Sequence, residues 1–348
     1  MRVASKKRYS PMGVTISGAV IVTILLLLLR TSKSGRATHH FYKLYETPPS
    51  TIATIASTVY DDSSASNSTG VSSVSSSAST MIRNCSLDSG GFFTDISEND
   101  WQLLKNRVHT RQNHFNPKKP KRSIQWPATW YQENFEPDFT CMHERRIGGM
   151  GDGPKWVCDP HRLMMSSKTN CLVYSIGSKG KYKFETAVLS EIGSHCEIHT
   201  FDPELKGKSF GKQAPKGVHY HNWGLMSEVG GKEAQAQFFE IGDKGNFKTM
   251  KESIEALGHV GREIDIFKID CEGCEWTTYQ DWFHAGATLR QILVEVHETP
   301  EDFVVGFFEA MQEHGYVTFH KEPNIQFGGG KCVEYAFLKL EDSFFEKG

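Results

Sequence analysis

Between residues 171 and 340 the chain alternates short apolar runs with amphipathic ones, and this alternation restricts the fold more than any other feature. Cys171–Ile176 is a largely apolar run ending at Gly177, the pattern of a buried strand. Tyr182–Ile192 carries Phe184, Val188 and Ile192 four apart before Gly193, which predicts a helix and its stop. Cys196–Phe201 reads as a second strand, closed by Asp202-Pro203, and Gly217–His221 as a third. Phe247–Leu257 predicts a helix ended by Gly258. Ile264–Ile269 is a fourth strand, followed by a helix near Glu275–His284. Leu289–His297 is a fifth, and Pro300–Glu313 a helix ended by Gly315. Tyr316–His320 and Cys332–Leu340 predict a closing hairpin around Gly328-Gly329-Gly330. Strands alternating with helices dictate a mostly parallel, doubly wound α/β sheet.

The segments before this domain differ in kind. Val14–Leu29 is apolar and uncharged, and follows Lys6-Lys7-Arg8. A cleaved signal peptide and an uncleaved signal anchor compete for it. Arg30 and Lys33 stand where small residues would mark a cleavage site, which favours the anchor. Residues 47–80 hold 18 Ser or Thr in 34 positions, too polar to build a core, and read as a disordered stalk. The resulting plan is a cytoplasmic tail over 1–12, a transmembrane signal anchor over 13–30 and a flexible stalk over 31–84. An N-terminal extension over 85–165 and the catalytic domain over 166–348 follow. This orientation makes a type II membrane protein of the Golgi or endoplasmic reticulum, its α/β domain in the lumen. The sequons at Asn67 and Asn84 suit a glycoprotein.

Residues 1–36 carry seven bases and no acid, leaving 32 bases against 41 acids in the remainder, a net of −9. That balance lacks the basic footprint of a nucleic-acid binder, so no nucleic-acid partner is expected. Of the eight cysteines, Cys171 and Cys196 each open a strand and read as small buried residues. Cys271 and Cys274 read as a structural disulfide or as free thiols. No second Cys-x-x-Cys exists to complete a zinc set, so no zinc is expected and no metal ligand is assigned, with a divalent cation on Asp270 and Glu272 left open.

Ligands of an open α/β sheet bind outside the carboxyl ends of its strands. The first strand ends Gly177-Ser178-Lys179-Gly180, where glycines let the backbone approach a ligand. The second ends in Asp202, spaced to accept the hydroxyl protons of a ribose, although an ordinary Asp-Pro turn explains it equally. The fourth ends Lys268-Ile269-Asp270-Cys271-Glu272-Gly273-Cys274-Glu275, three acids in six residues. Lys268 shares a face with Asp270 and is expected in an internal ion pair. The fifth strand sets Glu295 and His297 on one face of a run that should be buried on both, so they need partners. If strands four and five are neighbours, Asp270 and His297 meet at the crevice. A histidine beside a carboxylate can act there as a general base titrating near neutral pH.

Three segments, Val173–Gly180, His199–Pro203 and Lys268–Trp276, resemble the class I S-adenosylmethionine-dependent methyltransferases. The likeness is to their FkbM-like branch and its membrane-anchored eukaryotic relatives. Lys155-Trp156-Val157-Cys158-Asp159 resembles a segment that precedes the cofactor domain in those relatives. The resemblance implies a Rossmann-like seven-stranded sheet and S-adenosyl-L-methionine as cofactor. It implies that Gly177, Ser178 and Gly180 hold the methionine part, that Asp202 binds the ribose, and that Trp223 and Gly224 flank the adenine. Asp270, Glu272 and His297 would face the methyl acceptor, a small molecule or glycan hydroxyl. A lumenal glycosyltransferase with an acidic metal motif is the competing class. Against it, Asp270-Cys271-Glu272 follows the fourth strand and Asp202 already fills the ribose position.

Overall fold

Three helices, α1 (Asn84–Asp88), α2 (Glu98–Thr110) and α3 (Pro127–Glu133), lead into a small ladder. In it, β1 (Arg145–Ile147) runs antiparallel to β2 (Lys155–Val157), and α4 (His161–Met164) follows. The main sheet begins with β3 (Leu172–Ile176), buried at all five positions. Next come α5 (Lys183–Ala187), β4 (Glu197–Phe201) and β5 (Val218–His221). The two-residue strands β6 (Gly224–Leu225) and β7 (Phe247–Lys248) pair with each other. Then α6 (Met250–Leu257), β8 (Glu263–Ile269), α7 (Cys274–Trp282), β9 (Thr288–Val296) and α8 (Glu301–Glu313) alternate. The chain closes with β10 (Tyr316–Pro323), β11 (Val333–Lys339) and α9 (Asp342–Phe345). This computed structural model describes residues 84–110, 127–164, 171–203, 210–229, 246–297, 301–325 and 331–346.

Seven strands hydrogen-bond in the order β10-β11-β9-β8-β3-β4-β5. The five from β9 to β5 are mutually parallel. Strand β11 lies antiparallel to both β9 and β10. The chain leaves β3 toward β4 on one side and later returns to β8 on the other. The crevice between the carboxyl ends of β3 and β8 is therefore the switch point where such sheets bind ligands. Gly177 makes that crevice narrow. Its φ is +83°, and a β-carbon there would lie 1.8 Å from the Asp270 carbonyl oxygen. The close approach is fixed by the hydrogen bond from Asp270 N–H to the Ile176 carbonyl at 3.0 Å.

Alternation along β3 sends Leu172, Tyr174 and Ile176 to one face and Val173 to the other. The first face is covered by α6, α7 and α8, with Trp282, Phe267 and Phe307 at its centre. The second is covered by α5, α1 and α2, with Phe93, Trp101, Phe139 and Phe344 packed together, while Trp130, Tyr131 and Phe135 join the first face. Truncating a buried aromatic such as Trp101 or Trp282 costs about 3–5 kcal/mol.

The elements expected from the sequence are present, with differences in extent. The helix expected over 182–192 is α5 followed by a π-helical turn, Val188–Ile192. The helix expected over 247–257 starts only at Met250, where Thr249 and Glu252 cap it reciprocally. Phe247 and Lys248 belong instead to the small ladder. Cys171 and Cys196 are a disulfide, not merely buried residues. Leu172 pairs with Glu197, which sets their Cα atoms 4.4 Å apart, within bridging range. Cys271–Cys274 and Cys141–Cys158 are also bridged, and Cys85 and Cys332 are free. Among the described residues no helix is long and apolar enough to cross a membrane; the expected anchor over 13–30 lies outside them.

Candidate active site

At the carboxyl ends of β3, β8 and β9 lies a cavity of about 320 Å³. Gly177, Ser178, Asp270, Glu272 and His297 all line it. Five of the nine residues singled out from the sequence thus converge on one space. Asp202 reaches the same turn from β4: its Oδ2 accepts the Lys179 N–H at 2.5 Å and the Ser178 hydroxyl at 3.5 Å. Burial raises its carboxyl to about 6, against the lowering pull of the Lys179 N–H and the Lys268 charge. Gly180 faces a neighbouring hollow beside Tyr182 and Gly148. Trp223 and Gly224 are not among the residues lining the cavity. The Trp223 indole lies against His221 and Phe201, under the Lys248 ammonium, and donates to Ser253 Oγ at 3.1 Å. Gly224 is held in the β6–β7 ladder.

Strands β8 and β9 are neighbours, so Asp270 and His297 do meet. His297 Nε2 is 3.9 Å from Asp270 Oδ1 and 3.6 Å from Glu272 Oε2. Its other nitrogen is held by Glu275. Oε1 of that fully buried carboxylate lies 2.8 Å from His297 Nδ1 and accepts the His297 backbone N–H at 3.0 Å. Burial lowers the imidazole. The hydrogen bond and charge of Glu275, with the charges of Asp270 and Glu295, outweigh that and lift His297 to about 9. The direction is upward from the near-neutral titration expected of this histidine, and it favours the imidazolium at pH 7. Glu275 opens α7 and points back at the strand end. Nothing in the local sequence marks Glu275 as the partner of His297.

The buried acids also find a cation. Lys155, on β2, is 2% exposed. Its ammonium lies 2.5 Å from Glu334, 3.4 Å from Asp270 and 3.4 Å from Glu295. Burial lowers it, but the charges of Glu334, Asp270 and Glu295 win and keep it protonated. Asp270 is held well below the usual carboxylate range: burial raises it, and Lys155, Lys268 and His297 more than reverse this. Glu334 is lifted to about 8, by burial first, against Lys155 and with Glu295 and Asp270. Asn324 completes the Glu295 side with a 2.9 Å hydrogen bond. Lys268 is not in the ion pair expected of it; its ammonium donates to the Gly177 carbonyl at 3.2 Å and braces the turn. Lys179 pairs with Glu272 at the rim. Glu295, His297 and Cys332 each offer a ligand atom within 4.8 Å of one another, a set able to hold a metal ion.

A parallel sheet with its last strand inserted antiparallel beside the fifth, and a glycine turn facing acids across the switch point, defines a class I methyltransferase. A family model described as a methyltransferase domain matches residues 84–339. The chain belongs to that family and is a methyltransferase, and the class uses S-adenosylmethionine as methyl donor. Among solved structures it is similar to an rRNA methylase from Streptococcus thermophilus. Identity is 8%, coverage 51% of this chain and 92% of that one, and the TM-score 0.32. It is also similar to the Methanococcus jannaschii fibrillarin pre-rRNA processing protein, at 10% identity, 57% and 84% coverage and a TM-score of 0.32. A search of curated proteins finds no match.

Proposed function

We propose that this methyltransferase O-methylates a glycan of the secretory pathway, as an FkbM-like enzyme held by an N-terminal signal anchor with its catalytic domain in the lumen of the Golgi or endoplasmic reticulum. The observation that carries the reading is His297 Nε2, turned toward Asp270 and Glu272 in the cavity behind the glycine turn. The residues fit the cofactor: Asp202 is a buried acceptor beside Gly177 and Ser178, and an orphaned carboxylate oxygen lines the same cavity. When bound, S-adenosylmethionine supplies an electrophilic methyl group on a sulfonium. Asp202 holds the ribose hydroxyls. His297 Nε2, once neutral, takes the proton of the acceptor hydroxyl, and Glu275 keeps the ring oriented through Nδ1. Asp270 and Glu272 hold the acceptor in line. The positive charge that the cofactor would bring to this cavity would disfavour the His297 imidazolium.

The chemistry of the cavity supports a hydroxyl acceptor. Asp152, Asp270, Glu272 and Glu295 line it together with Lys179, Lys181 and Lys268; carboxylates accept from the hydroxyls of a sugar. Three disulfides suit an oxidising compartment, which supports the lumenal orientation. The test is to incubate full-length enzyme with methyl-labelled S-adenosylmethionine and a secretory glycoprotein fraction, with total RNA as the control acceptor. Label released with the glycans is expected. Label confined to RNA would overturn the glycan reading.

A further inference from the structure

Glu185 supplies the orphaned carboxylate oxygen of the cavity and has so far been given no ligand group to bind. It lies in the first turn of α5, is 1% exposed, and lines the same cavity as Gly177 and Ser178. Its Oε1 accepts the hydroxyl of Ser175, itself fully buried on β3, at 2.5 Å. Its Oε2 is buried and has no hydrogen-bond partner. A buried carboxyl oxygen without a hydrogen-bond partner is costly to maintain, and such groups in native proteins call for an explanation. The nearby cations do not supply one. Lys268 is committed to the Gly177 carbonyl, Lys179 to Glu272, and Lys181 to Asp152. Among the described residues no base forms an ion pair with Glu185.

The missing partner must bring an N–H or O–H to donate, and a carboxyl with no ion pair among the described residues is best matched by a donor that carries positive charge. A sulfonium has no N–H, and a nucleobase amino group has no charge. An amino-acid ammonium has both. We propose that Glu185 binds the α-ammonium of the cofactor's methionine end, with Ser175 as the positioning residue that aims its carboxylate. This rests on the cofactor reading above and assigns the amino-acid end of that ligand a charged partner that lies outside the glycine turn. The turn's own backbone is then free to shape the passage between Gly177 and Asp270.

The test is calorimetric binding of S-adenosylhomocysteine, and of its analogue lacking only the α-amino group, to the full-length wild type, Glu185→Gln and Ser175→Ala. A hydrogen bond between charged groups gives a preference of about 10–100-fold. Wild type is expected to prefer S-adenosylhomocysteine by that margin. Glu185→Gln, which keeps the shape and the contact with Ser175, is expected to bind both ligands equally. Ser175→Ala, which keeps the charge, should retain most of the preference. The ligand pair on wild type alone decides the matter if a variant fails to fold. Wild type that binds both ligands equally, or Glu185→Gln that still discriminates, overturns this inference and leaves the cofactor reading standing. Wild type that binds neither overturns both.

Discussion

Replacing Glu275 by Gln should change when His297 gives up its proton. The rise of His297 from 6.5 to about 9 favours the imidazolium by about 3 kcal/mol, at roughly 1.4 kcal/mol per pH unit. Glu275 is the first of the groups that raise it, through a hydrogen bond at Nδ1 and a buried charge. Glutamine keeps an acceptor at that position and removes the charge. The imidazole should then titrate at least one unit lower, and its neutral fraction at pH 7 should grow from roughly 1% to 10% or more. Histidine-labelled protein followed by NMR over pH 5.5–10 reads this without an acceptor substrate. The sign extends to stability. A histidine raised on folding contributes stability that is full below about 6.5 and is lost as pH rises through about 9. Wild type should therefore lose stability across that window, and Glu275→Gln should lose less. An unchanged His297 titration in the variant would refute the account of what holds the ring.

Lys155→Met should be among the most damaging single changes, because it leaves Asp270, Glu295 and Glu334 without their shared cation. Breaking such a buried pair costs about 3–5 kcal/mol; chemical denaturation should show the deficit smallest near pH 5, where the acids can take up protons, and larger toward pH 8. His297→Ala should keep cofactor binding and lose about 10²–10⁴ in turnover, read by label transfer to the active acceptor. In the free enzyme kcat/KM should rise toward about pH 9, while kcat, which reports the loaded site, should level off lower. Replacing Cys171 and Cys196 by Ala opens a 25-residue loop and should cost about 3 kcal/mol, measured by denaturation under non-reducing conditions.

The sheet was legible in the chain because its strands are apolar on both faces and are punctuated by Gly177, Gly193, Gly258 and Gly315. The meeting of Asp270 with His297 followed from strand order alone. What escaped is what depends on tertiary contact. Lys155 is 115 residues from Asp270 and 179 from Glu334, and nothing local in Lys155-Trp156-Val157 announces a buried ammonium. The elevated titration of His297 could not be read without Glu275, which α7 turns back onto the strand end. The place of Trp223 beside the adenine was implied by the family resemblance alone, and nothing local in Asn222-Trp223-Gly224-Leu225 shows what the indole packs against. Its partners, Phe201, Lys248 and Ser253, come from other elements. Glu185 carries no local signal either, because its contact with Ser175 joins α5 to β3.

The central claim is that the crevice at Gly177 and Asp202 holds the nucleoside cofactor. Calorimetric titration of full-length wild type and Asp202→Ala with S-adenosylhomocysteine tests it most directly. The account predicts binding to wild type, and at least tenfold weaker binding to Asp202→Ala with its unfolding transition retained. Wild type that does not bind, or that binds a nucleotide sugar in its place, would contradict it.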